Sequence, residues 1–299
     1  MRVLLTGATG YIGSGVQEAL TRAGHEVTAV VRTHAAAERV ARRAVRCVIA
    51  DLGEQAAVPP SFMGFDAYIH TAFEASARGP EVDRLAVEAL GAAARESGAA
   101  AFLYTSGIWV LGQTTGADET AIANPTPLVA FRPAHEQAAL AFGSDSLRAM
   151  VVRPGLVYGG GRGIVGDMLR DAENGIMRVI GTGENHWPLV YDRDLADLYV
   201  RLVSNAEARG IYHATDDTQL TVAEVAAAIA SHPQQTPDIR FMPIAEARSK
   251  MGPYADALAL DQIVRSPRAR ALGWQPSLGS IVNNVPRLFE EWRNARAQA

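Results

Sequence analysis

The chain has 299 residues, 48% of them hydrophobic, and a net charge of −4 at neutral pH, which excludes a disordered polymer and leaves no basic footprint for nucleic acid. Cys47 is the only cysteine, so an intrachain disulfide and a cysteine-based metal cluster are excluded, and no His/Asp/Glu spacing suggests another metal site. No apolar stretch is long enough to span a bilayer and the first residues lack a signal-peptide layout, so a cytoplasmic protein without a membrane partner is expected.

Residues 2–5 read as a short apolar strand that runs into Thr6-Gly7-Ala8-Thr9-Gly10-Tyr11-Ile12-Gly13, and residues 11–23 read as a helix. Gly7 permits a sharp turn, Gly10 lets backbone approach a pyrophosphate, and Gly13 lets the helix pack closely on a sheet. Free N–H groups and the positive end of the helix dipole would then meet the phosphates. Strand patterns follow at 26–31, 45–50, 67–70, 100–104 and 147–153, with helical patterns at 35–43, 80–97 and 134–142. Repeated β-α-β units of this length predict an α/β fold, a Rossmann-type doubly wound parallel sheet. Past Pro154 the alternation breaks down into shorter strands, glycine-rich loops and helices such as 222–230, which predicts a smaller C-terminal α/β substrate lobe. The expected division is a nucleotide-binding domain at 1–155, its core extended by segments near 186–215, and a mainly substrate-binding lobe at 156–299.

Several segments together resemble the extended short-chain dehydrogenase/reductases, the family of nucleotide-sugar epimerases, dehydratases and related carbonyl reductases. The loop from Thr6 to Gly13 is similar to that family's cofactor loop, Asp51-Leu52 to its adenine-side motif, and His70-Thr71-Ala72 to the end of its fourth strand. Arg153-Pro154-Gly155-Leu156-Val157-Tyr158-Gly159 resembles the segment that passes the nicotinamide. Similar likenesses hold for Trp187 to Ala196 with its aspartates and for Leu272-Gly273-Trp274-Gln275-Pro276. The resemblance implies cofactor contacts from Gly7, Thr9, Gly10, Tyr11, Ile12, Gly13, Asp51, Leu52, Thr71, Ala72, Thr105, Pro154 and Gly155. A homodimer through the helices at 80–97 and 134–142 is also implied, although ordinary core packing would use their alanine-rich faces too.

Arg32 ends the second strand where an acid would bind the ribose hydroxyls of NAD. A guanidinium there would instead pair with a 2′-phosphate, so NADP is expected ahead of NAD, against the alternative of an ordinary exposed arginine.

The catalytic positions depart from the family. Its usual trio is a serine or threonine after the fifth strand and a Tyr-x-x-x-Lys pair. Ser106 fits the first role, or else serves only to satisfy the strand end. The Tyr-x-x-x-Lys window reads Phe131-Arg132-Pro133-Ala134-His135, with no tyrosine between Gly107 and Val157 and no lysine before Lys250. Phe131 has no ionisable proton and is expected to pack against substrate or nicotinamide. His135 would bind the ribose, move a proton, or be structural. Tyr158, His186 and Tyr191, with Glu74 and Glu119, are further proton-donor candidates on the substrate side, each set against a structural role and Tyr158 against packing, and Asp194 is expected as a buried or capping carboxylate at a helix start. Three functions remain open. They are an NADP-dependent oxidoreductase acting on a carbonyl or alcohol of a small molecule, an epimerase, dehydratase, lyase or cyclase on the same fold, and a catalytically silent NADP-binding sensor. For the second, Arg162 and Arg170 would pair with a diphosphate.

Overall fold

The computed structural model describes residues 1–42, 45–54, 59–232 and 236–297. In chain order the elements are β1 (Arg2–Thr6), α1 (Tyr11–Arg22), β2 (Glu26–Val31), α2 (His34–Ala41), β3 (Arg46–Ile49), β4 (Ala67–His70), α3 (Gly79–Glu96), β5 (Ala101–Thr105), β6 (Thr114–Ala117), α4 (Arg132–Ala141), β7 (Arg148–Pro154) and β8 (Leu156–Tyr158). They continue as α5 (Gly163–Glu173), β9 (Ile176–Ile180), β10 (Leu189–Tyr191), α6 (Asp192–Ser204), β11 (Gly210–Ala214), α7 (Val222–Ala230), β12 (Asp238–Met242), α8 (Ile244–Met251), α9 (Pro253–Leu258), β13 (Gln262–Val264), α10 (Pro267–Ala271) and α11 (Val285–Ala297). The second predicted helix ends at Ala41, and Arg43, to which the sequence pattern extends it, lies outside the described residues.

Two compact units result. The first comprises 1–106, 131–153 and 195–212. Its sheet has the order β11-β7-β5-β4-β1-β2-β3, and the pairings among β7, β5, β4, β1, β2 and β3 are all parallel. β1, β4 and β5 are buried almost throughout because helices cover both faces, which is why they read as continuous apolar runs. α1 buries Gly13, Val16, Gln17 and Leu20, one stripe at helical spacing. The direction of strand succession reverses between β1 and β4, and in such sheets ligands bind beyond the carboxyl ends of the strands at that reversal. Thr6 and His70 stand opposite each other there. The alanine-rich side of α3 is spent inside the unit: Ala86, Ala89, Ala93 and Ala94 are buried, and a Cβ on Gly91 would meet the Phe142 ring at 2.2 Å.

The second unit comprises 107–130, 154–194 and 213–299. It is built on three two-stranded parallel pairs, β8 with β10, β9 with β12 and β6 with β13. The segment 107–130 belongs to this unit because Ile108, Val110, Leu111 and Ala117 bury into its apolar core beside Tyr158, Leu169, Trp187 and Phe289. α7 starts with a complete capping box between Thr221 and Glu224, the reciprocal arrangement that makes its N-terminus legible in sequence.

Asp216 is a weak point in this second unit. One of its carboxylate oxygens accepts from the Thr218 N–H at 3.0 Å and the Thr218 hydroxyl at 2.6 Å, while Oδ2 is buried without a hydrogen-bond partner among the described residues. Burial pushes the carboxyl up to about 6, against the lowering effect of the Thr218 hydrogen bonds. A carboxyl raised on folding ionises first in the unfolded chain, so stability falls as pH rises from about 4 to about 6 and stays low above it, by roughly 2–3 kcal/mol. Asp216→Asn is expected to be more stable than the parent at pH 7.5 and to lose that decline, as read from urea unfolding at pH 4.5 and 7.5.

Candidate functional site

The loop after β1 closes on itself. Gly7 has φ +78°, and a Cβ there would lie 2.6 Å from the Ala72 nitrogen; one on Gly13 would lie 2.2 Å from the Gly7 carbonyl oxygen. Gly10 donates to that carbonyl at 2.8 Å and forms the N-cap of α1 with no side-chain cap. Thr71 donates its hydroxyl to the Thr6 carbonyl at 2.7 Å, locking the ends of β1 and β4 together. Thr9, Tyr11 and Ile12 lie on the uncovered stretch of this turn and first helical turn. Backbone stripped of side chains at the start of a helix fits a dinucleotide's pyrophosphate.

Around this loop the predicted adenosine contacts are engaged with one another. Asp51 accepts from the Gly53 N–H at 2.8 Å and lies 3.6 Å from Arg78, while Leu52 is buried. Arg32 is 61% exposed and pairs with Glu74 at 2.9 Å. Glu74 also accepts from Arg78 at 2.8 Å and Ser76 at 2.6 Å, and these bonds hold its carboxyl below the usual range. Glu74 is therefore an ionised partner for arginines, not a proton donor.

Beneath the loop lies a buried polar network centred on Asp83 of α3. Its Oδ2 accepts from the Tyr104 hydroxyl at 2.6 Å and from His135 Nδ1 at 2.7 Å, and its Oδ1 lies 3.3 Å from His70 Nε2. Burial pushes this carboxyl up, but hydrogen bonds from His135 and His70 and the charge of Arg132 outweigh it and hold it well below the ordinary value. An ionised Asp83 only accepts, so both imidazoles donate to it. The other His70 nitrogen then accepts from Thr6 Oγ1 at 2.6 Å, and Thr6 Oγ1 in turn faces the Thr71 N–H at 3.3 Å. His135, with Nδ1–H committed to Asp83, is left with Nε2 for chemistry. Arg132 donates to the Tyr104 hydroxyl at 2.9 Å and the Thr105 carbonyl at 2.8 Å, and its guanidinium lies over the Phe73 and Phe131 rings. Phe131 itself stacks on Phe73 at 5.8 Å and tilts against the His135 ring at 5.1 Å.

Ser106 is held differently from its expected role. Its hydroxyl donates to Glu136 at 2.5 Å, and Arg153 grips the same carboxylate with two bonds, at 2.9 and 2.5 Å. Ser106, Glu136 and Arg153 are all buried. In this arrangement the Ser106 proton is directed at Glu136, and the hydroxyl oxygen keeps its acceptor capacity. Thr105 is likewise turned inward, sharing a 2.5 Å hydrogen bond with Tyr199.

The remaining candidates belong to the second unit. Gly155 packs where a Cβ would meet the Pro188 carbonyl at 2.4 Å, which explains the glycine after Pro154. Tyr158 is wholly buried against Tyr191, and burial raises its phenol strongly, so the expectation of a substrate-facing group is corrected: it is a core residue of this unit. Tyr191 donates to Glu291 at 2.6 Å. His186 is partly exposed, with Nδ1 and its own N–H bound to Asp261 at 2.7 and 2.8 Å. Glu119 accepts from the His213 N–H and is buried. Asp194 is buried as expected, but it caps the segment at Ser277, 2.9 Å away, rather than its own helix. Arg170 is paired with Asp167 at 2.7 Å. No cluster of three His, Cys, Asp or Glu fit for a metal exists among the described residues.

Residues 3–214 match the NAD dependent epimerase/dehydratase family. The chain belongs to that family. An uncharacterized Schizosaccharomyces pombe protein, C2A9.02, is 29% identical over 296 residues, covering 95% of this chain and 98% of its own length. The 2-alkyl-3-oxoalkanoate reductase of Stenotrophomonas maltophilia is 29% identical over 205 residues, 64% of this chain and 62% of that enzyme. The crystal structure of human epimerase family protein SDR39U1 (isoform 2) with NADPH superposes with a TM-score of 0.81 at 23% identity, covering 97% of this chain and 99% of that one.

Against that epimerase/dehydratase background, Asp83 and Glu136 are the buried carboxylates touching the candidate residues that the sequence pattern did not single out. Asp83 carried a signal, since it is an acid set among Gly79, Ala86, Val87 and Leu90 on the buried stripe of α3. Glu136 carried none beyond its place after His135. Removing one member of a buried ion pair strands the other, at a typical cost of about 3–5 kcal/mol. Glu136→Gln is expected to lose about that much in urea unfolding, and Ser106→Ala only about 1 kcal/mol.

Proposed function

We propose that this protein is an NADP-dependent oxidoreductase that interconverts a carbonyl and an alcohol on a small molecule, with His135 as its acid and base. The observation that carries the reading is the Asp83–His135 pair, 2.7 Å apart, which ties α3 to the helix where the family's Tyr-x-x-x-Lys pair would stand. Asp83 fixes the imidazole with its proton on Nδ1 and stabilises the imidazolium that forms when Nε2 also binds one. A bound nicotinamide would supply hydride to the carbonyl carbon. As the C=O π pair shifts to oxygen, the imidazolium gives up its Nε2 proton, leaving an alcohol and a neutral His135 that solvent reprotonates. Phe131, which has no proton to give, supplies a flat apolar wall beside the imidazole.

The 29% identity to a 2-alkyl-3-oxoalkanoate reductase supports the reductase side of the family, and the fold shared with a human epimerase family protein described with NADPH supports the cofactor. For the 2′-phosphate, Arg32 has to exchange Glu74 for the ligand. That exchange is cheap, because an exposed ion pair contributes only about 0–1 kcal/mol.

Titration with NADPH and NADH, followed by nicotinamide fluorescence, is expected to show NADPH preferred. Arg32→Ala should lower NADPH affinity about tenfold and leave NADH unchanged, the scale of a hydrogen bond to a charged group. His135→Asn is expected to bind NADPH nearly as well and to lose 10²–10⁴-fold in ketone-dependent NADPH oxidation, the usual contribution of a general acid. Failure to bind either nucleotide, or undiminished turnover in His135→Asn, would overturn the reading.

A further inference from the structure

Arg132 opens α4, three residues before His135, and its guanidinium is only partly engaged. Nη1 makes both of its hydrogen bonds, to the Tyr104 hydroxyl at 2.9 Å and the Thr105 carbonyl at 2.8 Å. Nε and Nη2 have no partner among the described residues. The carboxylates of the neighbourhood are taken by other groups, Asp83 by His70 and His135, Glu136 by Arg153 and Glu81 by Arg84. We infer that the free edge of Arg132 binds a carboxylate of the oxidoreductase's substrate, so that the substrate class is an oxo acid, a carbonyl compound carrying its own carboxylate. The inference rests on the carbonyl-reductase reading only for the group that reacts.

The Nε–Nη2 edge is the side of a guanidinium that takes a carboxylate through two parallel hydrogen bonds. Its direction is fixed by its surroundings. The guanidinium carbon lies 4.9 Å from the centre of the Phe73 ring, 5.3 Å from that of Phe131 and 5.9 Å from that of Tyr104, and Nη1 is anchored to the end of β5. Arg132 is half-buried and Phe73 exposed, so this aromatic clamp reaches the surface. The Phe131 ring also lies 5.1 Å from the His135 ring, so guanidinium and imidazole pack on one aromatic group. The two are joined a second way through Asp83, which accepts from His135 and from the Tyr104 hydroxyl that Arg132 holds. An anchor and an acid placed so closely within one unit can serve two ends of a small substrate.

Charge favours an anion there. With His135 protonated for reduction, the negative Asp83 faces two positive groups, His135 and Arg132, and His70 adds no charge because it both donates and accepts. A substrate carboxylate restores neutrality at the moment the proton is to be given. Helix stability does not account for Arg132, since a cation in the first turn opposes the helix dipole.

The test compares pyruvate, acetoacetate and levulinate with their methyl esters in NADPH oxidation. At least one acid is expected to have a KM about 10- to 100-fold below that of its ester, the scale of hydrogen bonds to a charged group. Arg132→Gln should erase this preference, whereas a purely structural role would impair acid and ester alike and keep their ratio. Arg132→Lys, which keeps the charge and loses the fork, should retain part of the preference and serves as the second variant should the first misfold. Independently of turnover, calorimetric titration in the presence of NADP⁺, which has no hydride to give, is expected to show an acid binding and its ester binding about tenfold or more weakly. Binding of an acid that is lost in Arg132→Gln, with no NADPH oxidation on any compound, would sink the reductase reading and leave the anchor standing. Equal KM for acids and esters, a preference that survives Arg132→Gln, or no binding of any acid would overturn the anchor.

Discussion

One buried carboxylate organises the first unit. Asp83 receives hydrogen bonds from β4 through His70, from β5 through Tyr104 and from α4 through His135, so the helix carrying the altered catalytic pair is tied to the sheet by charge. A charge so deeply buried survives only when its acceptor sites are filled, and removing one partner from such a group typically costs several kcal/mol. The direction of every proton follows from Asp83 being an acceptor. His70 donates inward and accepts from Thr6, and Thr6 faces the N–H of Thr71 beside the glycine turn. The loop that would hold a pyrophosphate and the imidazole that would move a proton are two ends of one polarised chain.

That arrangement redistributes the family's usual labour. A tyrosine and lysine divide proton transfer and ribose binding between two side chains. Here Phe131 has no proton to give, and under the proposed function the proton would pass to an imidazole whose other nitrogen is committed to Asp83. The next residue, Glu136, makes a second buried contact on the same helix, holding Ser106 and Arg153. Consecutive residues thus make two separate buried contacts, His135 with Asp83 and Glu136 with Ser106 and Arg153.

Legibility in the sequence tracked locality. The glycine turn, the strand runs and the helix at 222–230 are short-range patterns, and each stands where the chain pattern puts it. The Tyr-x-x-x-Lys gap was equally plain, being a comparison of side chains at fixed spacing. The partnership of Asp83 with His135 was not legible, because 52 residues separate them and only the fold brings them together. The place of 107–130 in the second unit was hidden for the same reason, since its strand β6 finds its partner in β13 about 150 residues later. Tyr158 shows the converse error: an aromatic in a motif segment suggested contact with ligand, whereas tertiary packing buried it.

In the first unit a charge-assisted network commits one imidazole nitrogen to Asp83 and leaves the other as the variable one. Sites of this kind reject by large factors a group that leaves a buried partner unpaired, whereas an apolar wall such as the stacked Phe73 and Phe131 rings discriminates one methylene from the next only modestly.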